Sequence, residues 1–427
     1  MYPLCTVNML TSCLLITVLL IKTTHCGNVK PQKESELPDY NVYHNMSQIQ
    51  LVLLKLTNRA PGYIQMISSF VSREGRPQLL LRITNFTNNQ LQPSYNTDPS
   101  RDKVKILLSY GEHAREFFPI ESLIYLVGNL TGGLKTDASP MAREFSQLIL
   151  SNIDLFIVAM MNPDGRVYVE RTGNYCWRGT VTGVDLNRNF DWNFGKHGSS
   201  GNPKDEEFRG PRAFSEPECN ILRNLTASFS FDAFVSLHSG IRQIYVPFAD
   251  SLSKQTRRKP ENLDSMLDVA QKMARATGKK FTYGLAYYLN DYPADGTIFD
   301  YMAGVRKIPF SFAIELWGDL KKHPICFDLF NPSNENLQTE VKQVHPIYEV
   351  LFLYLIKWKQ QQAASSAGRQ KDRPPSHAFR YTVLVCVSLL VLYQVLHNRR
   401  SLSFWLRRRR RVIRVHSLGS MFSNMKT

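Results

Sequence analysis

Four short runs of this chain are apolar along most of their length instead of on alternate residues: Lys103–Tyr110 (KVKILLSY), Ile153–Ala159 (IDLFIVA), Phe231–Leu237 and Phe310–Leu316. A strand with one wet face shows polar residues at every second position, whereas a strand without that alternation is covered on both sides. Between these runs, Ile120–Leu130, Pro217–Phe229 and Asn262–Thr277 carry helical spacing. Strands alternating with helices predict a single large α/β domain over residues 43–358, with a mixed, mainly parallel central sheet flanked by helices. No internal repeat interrupts the pattern.

The chain has 427 residues, 43% hydrophobic and 21% charged, which excludes a disordered or collagen-like protein. Its formal net charge of +16 invites a nucleic-acid or anionic-membrane partner. Residues 397–427 hold eight Arg, one Lys and no acid, and residues 357–380 hold six basic residues against Asp372. That leaves only +2 for residues 1–356. A nearly neutral body argues against a nucleic-acid partner.

The basic excess instead describes topology. Tyr381–Leu396 is 16 residues without a charge, short against the ~20 of a usual spanning helix. Arg380 precedes it, and Arg399, Arg400 and the Arg407–Arg411 run follow it. The positive-inside rule then predicts a single-span, type I membrane protein with an extracellular or lumenal body and a cytoplasmic tail over 397–427. The Arg run either stops translocation and rests on anionic lipid or acts as an endomembrane sorting signal. At the other end, the apolar run from Met9 to Ile21 before Thr24-His25-Cys26-Gly27 reads as a secretory signal over 1–26, against an uncleaved anchor or a buried strand. Residues 359–380, including QQQAASSAGRQKDRPPS, read as a flexible stalk. Sequons at Asn45, Asn85, Asn129 and Asn224 suit the non-cytoplasmic side. Cys176, Cys219 and Cys326 are an odd set, predicting one disulfide and one free thiol with the pairing open.

Polar candidates follow the buried runs, where open α/β sheets expose their ligand-binding edge. The first run ends in Gly111-Glu112-His113-Ala114-Arg115-Glu116, the third in His238-Ser239, and the fourth delivers Glu315. A His and a Glu three residues apart, completed by a distant His, form the three-ligand set of a catalytic zinc with an open fourth position. Spacing alone favours a surface turn over a metal site.

The stretches GEHAREF (111–117), NPDG (162–165), WR (177–178), GVDLNRNFDWNFG (183–195), GPRAFSEPE (210–218), LHS (237–239), YPADGTIFDY (292–301) and IEL (314–316) occur in one order. Together they resemble the zinc metallocarboxypeptidases, the group of pancreatic A/B-like and regulatory N/E-like enzymes. The resemblance implies that family's fold, one zinc ion, and hydrolysis of the C-terminal peptide bond of peptides or proteins with a free C-terminus. It implies His113, Glu116 and His238 as zinc ligands and Glu315 as general base. Arg178 is implied to hold the oxyanion, Asn187 and Arg188 to clamp the substrate carboxylate, Tyr292 to close over it, and Arg115 to line the channel. The forked guanidinium suits that clamp because it matches a carboxylate bidentately.

Counting from Tyr292, the family's specificity position falls on Phe299, which predicts preference for hydrophobic or neutral C-terminal residues. A shift by one residue places Asp300 there and implies Lys/Arg preference instead. No pro-domain is expected, because only residues 27–42 separate the signal from the catalytic domain. Two alternatives to an active hydrophobic-preferring enzyme stand: an inactive membrane-bound peptide-binding relative, and an enzyme with basic specificity. A monomer is expected.

Overall fold

The computed structural model describes residues 37–86, 103–318, 326–371 and 381–399, with residues 366–371 described by backbone only. The signal over 1–26, most of the segment that follows it and the Arg tail from Arg400 onward lie outside the described residues.

The four fully apolar runs become β3 (Val104–Tyr110), β4 (Ile153–Val158), β5 (Ala233–His238) and β8 (Phe310–Glu315). All are buried along their length, apart from the half-buried Glu315. They pair in parallel, β4 to β3, β3 to β5 and β5 to β8. Four shorter strands extend this core: β1 (Ile64–Ile67), β2 (Leu80–Ile83), β6 (Gln243–Val246) and β7 (Thr282–Leu285). The eight-stranded sheet runs β1-β2-β4-β3-β5-β8-β6-β7, with antiparallel pairing at β1–β2, β2–β4 and β6–β8. The expected mixed, mainly parallel sheet is the one found.

The expected helices also form. Ile120–Leu130 lies inside α2 (Phe118–Gly132), and Asn262–Thr277 corresponds to α7 (Leu263–Ala276). Pro217–Phe229 divides into a 3-10 turn at Pro217–Cys219 and α5 (Asn220–Ser228). Further helices are α1 (Met46–Arg59), α3 (Pro140–Asn152), α4 (Pro163–Thr172), α6 (Ser251–Thr256), α8 (Ala286–Leu289) and α9 (Ile298–Gly304). α10 (Cys326–Phe330), α11 (Leu337–Val344) and α12 (Pro346–Lys371) follow β8. Apolar residues pack on both faces of the sheet: Leu123, Ile149, Val235 and Leu351 belong to one cluster, and Phe156, Leu222, Phe234 and Ile298 to the other.

The expected disulfide joins Cys176 to Cys326, Cα atoms 5.0 Å apart, and leaves Cys219 as a buried free thiol. The chain divides into two compact units, one through Trp358 and one from Lys359. The flexible stalk expected from residue 359 is replaced, up to Lys371, by the continuation of α12. Gln360, Gln361, Gln362, Ala363 and Ala364 are good helix formers, and they extend the helix where small polar composition suggested coil. In the second unit, Tyr381–Arg399 is a 19-residue, largely apolar helix (α13). Among the described residues it is the one helix long and apolar enough to cross a membrane.

Candidate active site

The parallel register fixes where the polar residues emerge. His238 and Glu315 are the last residues of β5 and β8 and stand opposite each other, while Tyr110 at the end of β3 stands opposite Leu237. Beyond Tyr110 the chain turns at Gly111 with φ +66°, where a Cβ would sit 2.5 Å from Met160 Sδ. Only glycine fits that turn, which delivers His113 and Glu116 to the same sheet edge just before α2. The Ala114 N–H donates to the Arg178 carbonyl (2.9 Å), drawing in a loop from after α4.

The Asp185 carboxylate organises the next turn. It accepts the Asn187 N–H (2.8 Å) and the Arg178 Nε–H (2.9 Å), and it lies 3.2 Å from His113 Nε2. Capped this way, the turn Leu186–Arg188 presents Asn187 and Arg188. Asn187 Oδ1 accepts the Ile298 N–H (2.9 Å), and Arg188 donates to Gly198 O, Asn187 O and Glu207 Oε1.

His113, Glu116 and His238 are buried and can bring one donor atom each within 4.8 Å of one another. His113 Nδ1 lies 2.6 Å from Glu116 Oε1, and His238 Nδ1 lies 3.1 Å from Glu116 Oε2. The two Nδ1 atoms are 3.2 Å apart. The separations of 3.1 and 3.2 Å are close to the about 3.3 Å between donors of a four-coordinate zinc and the 2.6 Å contact is shorter, so it is the donor set, two imidazoles and a carboxylate, that suits the ion. The remaining nitrogens, Nε2 of each ring, face the carboxylates Asp185 and Glu112. Nδ1 of each ring is thus the nitrogen turned toward Glu116 and the one placed to ligate a metal ion. Burial alone pushes the Glu116 carboxyl up, but the neighbouring imidazoles outweigh it and hold it well below the usual range. Asp185 is likewise held low against its burial, chiefly by Arg178.

A cavity of about 110 Å³ opens beside the triad, lined by His113, His238, Arg178, Asn187, Arg188, Tyr292, Phe299 and Glu315 among others. Glu315 is part of that lining, and its Oε2 is buried without a hydrogen-bond partner. Burial, reinforced by Glu116, pushes the Glu315 carboxyl up to about 8. Tyr292 is 59% exposed at the rim. Phe299 is on the lining, whereas Asp300 is turned away and accepts the Ala249 and Asp250 N–H groups (2.8 and 3.2 Å). Arg115 is outside this lining: it forks onto Glu206 (3.1 and 3.0 Å) and packs over the Phe330 ring.

A family model described as zinc carboxypeptidase matches residues 49–346. The chain belongs to the zinc carboxypeptidase family. It is 28% identical over 292 residues to carboxypeptidase A2 of Rattus norvegicus, covering 65% of this chain and 63% of that one. It is 28% identical over 296 residues to carboxypeptidase O of Homo sapiens, covering 66% and 72%. The chain thus spans about 63% of the carboxypeptidase A2 it matches. In fold it is similar to the carboxypeptidase A of Helicoverpa armigera (TM-score 0.62, 24% identity, 81% of each chain). It is also similar in fold to thrombin-activatable fibrinolysis inhibitor (TM-score 0.61, 21% identity, 80% of this chain and 81% of that one). Zinc is the family's cofactor, and the His113–Glu116–His238 cluster is where this chain has donors to hold it.

Sequence reasoning did not assign Asp185, Glu112, Ser236 or the Glu206–Glu207 pair. Asp185 lies within the matched GVDLNRNFDWNFG stretch and Glu112 within GEHAREF. A buried carboxylate next to a ligand histidine in sequence is the signal that could have drawn attention to Glu112.

Proposed function

We propose that this chain is a membrane-anchored zinc exopeptidase that removes single residues from the C-termini of peptides or proteins. The observation that carries this reading is one cavity shared by His113, His238, Glu315, Arg178, Asn187 and Arg188. Zinc supplies Lewis-acid polarisation and acidification of a water. Glu315, unpartnered at Oε2, takes the proton from the attacking water and returns it to the leaving amine. Arg178, held by Asp185, donates to the oxygen on which charge develops. Arg188 and Asn187 hold the substrate carboxylate, which makes the activity an exopeptidase one, and Tyr292 closes over it. Phe299 on the lining, with Asp300 engaged by backbone amides, supports preference for hydrophobic or neutral C-terminal residues.

The decisive experiment uses the full-length chain on peptides ending in Phe, in Arg, and in a C-terminal amide, with and without a zinc chelator. We expect release from the Phe peptide first, none from the amide, and loss with chelator. Chelator-insensitive release would overturn the mechanism, and faster cleavage of the Arg peptide would overturn the specificity.

The proposed topology is type I: a signal over 1–26, the catalytic domain over 43–358 outside the cytoplasm, a span from Tyr381 and a basic cytoplasmic tail. The apolar helix Tyr381–Arg399 supports it. Of the four sequon asparagines, Asn224 is the exposed one, while the Asn129 amide is engaged with His345 Nε2 at 2.5 Å. We therefore expect glycan at Asn224 in preference to Asn129.

A further inference from the structure

Part of the cavity lining takes no part in the chemistry. Ala249, Ala286, Ala294, Ala313 and Phe299 line it and belong to one buried apolar cluster. Four alanines leave space that larger side chains would fill in a close-packed interior. Two polar residues, Tyr245 and Asn290, join this lining. Tyr245 lies in β6 opposite Ala313 of β8. Asn290 directly follows α8, its N–H donating to the Ala286 carbonyl (3.0 Å).

The Tyr245 hydroxyl donates to Asn290 Oδ1 at 2.9 Å. Neither side chain makes another hydrogen bond among the described residues. The bond leaves the phenol oxygen its acceptor lone pairs and leaves Asn290 Nδ2 both of its hydrogens. Turning the amide over exchanges the two roles, and the pair still presents one donor and one acceptor. The lining offers no charge for this pair: Arg178, Arg188 and Glu315 have their own partners in the reaction, and Asp300 is held by backbone amides. Lys254 donates to the Asn290 and Asp291 carbonyls from outside the lining.

A side-chain carboxamide complements such a pair, because its carbonyl accepts from one member while its NH2 donates to the other. We infer that the cavity selects substrates whose C-terminal residue is glutamine or asparagine. Tyr245 and Asn290 are the specificity-determining residues, and the alanines with Phe299 enclose the methylenes. An apolar side chain of similar size leaves a desolvated donor and acceptor unpaired, which is the strongest ground on which a site rejects a near-isostere. A carboxylate is disfavoured for a different reason, since it would be buried without a cation of its own.

The inference rests on the exopeptidase reading, and the test separates the two. Zinc-loaded full-length protein is given peptides that differ only in the last residue, Gln, Asn, Met, Leu or Glu, and kcat/KM is measured for each. The better carboxamide peptide should exceed the better apolar one by about 5–150-fold, the range for two neutral hydrogen bonds. Tyr245→Phe removes the hydroxyl and keeps the ring, and this ratio should fall about 2–13-fold, the range for one such bond. Asn290→Ala should lower the ratio in the same direction. Wild-type protein that releases Met or Leu as fast as Gln and Asn would overturn the inference, whether or not the variants fold. So would faster release of Glu than of Gln, a ratio unchanged in both variants, or a loss shared equally by all five peptides, which would make the pair structural. Release from none of the peptides, or release that persists with a zinc chelator, would sink the exopeptidase reading and the inference together.

Discussion

The wall of the cavity beside the triad and the end lined by Arg188 and Tyr292, proposed to take the substrate carboxylate, are built differently. On the wall, His238 and Glu315 are strand-terminal residues of the parallel core, and His113 follows a third strand through one glycine turn. Their positions are set by sheet register, and both imidazoles carry carboxylate partners at 3.1–3.2 Å. At the substrate end, Tyr292 is 59% exposed in a loop. Arg188 there reaches Glu207, whose side chain is 45% exposed. On the proposed reading, the chemistry stands at strand ends of the parallel core and the carboxylate recognition on the turn and loop that carry Arg188 and Tyr292.

If that division holds, substitutions on the wall should act on kcat and those at the carboxylate end on KM. The largest effect belongs to Glu315→Gln: kcat should fall ~10²–10⁴-fold, the scale of a lost general base, while zinc content stays unchanged. Zinc loss alongside activity would mean that Glu315 belongs to the metal set instead. Arg188→Gln comes next. A charged hydrogen-bond pair contributes ~1.5–3 kcal/mol, so KM for a free-acid peptide should rise about 10–150-fold with kcat less affected. A fall confined to kcat would erase the distinction between the two regions.

The same division explains what could be read from the chain alone. β3, β4, β5 and β8 were legible because burial on both faces suppresses polar alternation. β2 was not, because Arg82 sits in its middle, where a forked pair with Asp154 on β4 (2.9 and 2.7 Å) makes the cation tolerable. β6 and β7, four residues each, carry too little pattern to announce themselves. Of the site, the triad and Glu315 were legible because motif and strand end coincide. Asp185 and Glu112 were missed because a lone carboxylate has no periodicity, and their partners lie 72 and 124–126 residues away. The stalk was misjudged for a related reason: small polar residues suit both coil and helix, and only the preceding turns of α12 decide.

A pH profile sharpens the comparison further. Burial and Glu116 raise Glu315 to about 8 in the metal-free site, and a dication on the adjoining triad must pull it down from there. The base acts only when ionised, so kcat/KM should fall with decreasing pH, by up to about tenfold per unit below the shifted value. The acid limb should therefore lie between Glu315's ordinary value of 4.5 and about 8. A profile flat to below that range would show that burial on the wall does not govern the base.

The smallest effect tests the far side of the division. Arg115 is held by Glu206, whose side chain is 61% exposed, so this fork is close to solvent despite its geometry. Exposed pairs contribute ~0.2–1 kcal/mol and are screened by salt. Glu206→Gln should accordingly shift KM by no more than about fivefold, and the difference should shrink as salt rises from 0.05 to 0.5 M, on the order of a halved screening length or less. kcat and zinc content should stay at wild-type levels, because Arg115 lies outside the cavity lining. A shift of tenfold or more that ignored salt would place the Arg115–Glu206 pair with the rigid wall, and the boundary between chemistry and recognition would have to be drawn through Arg115 instead of beyond it.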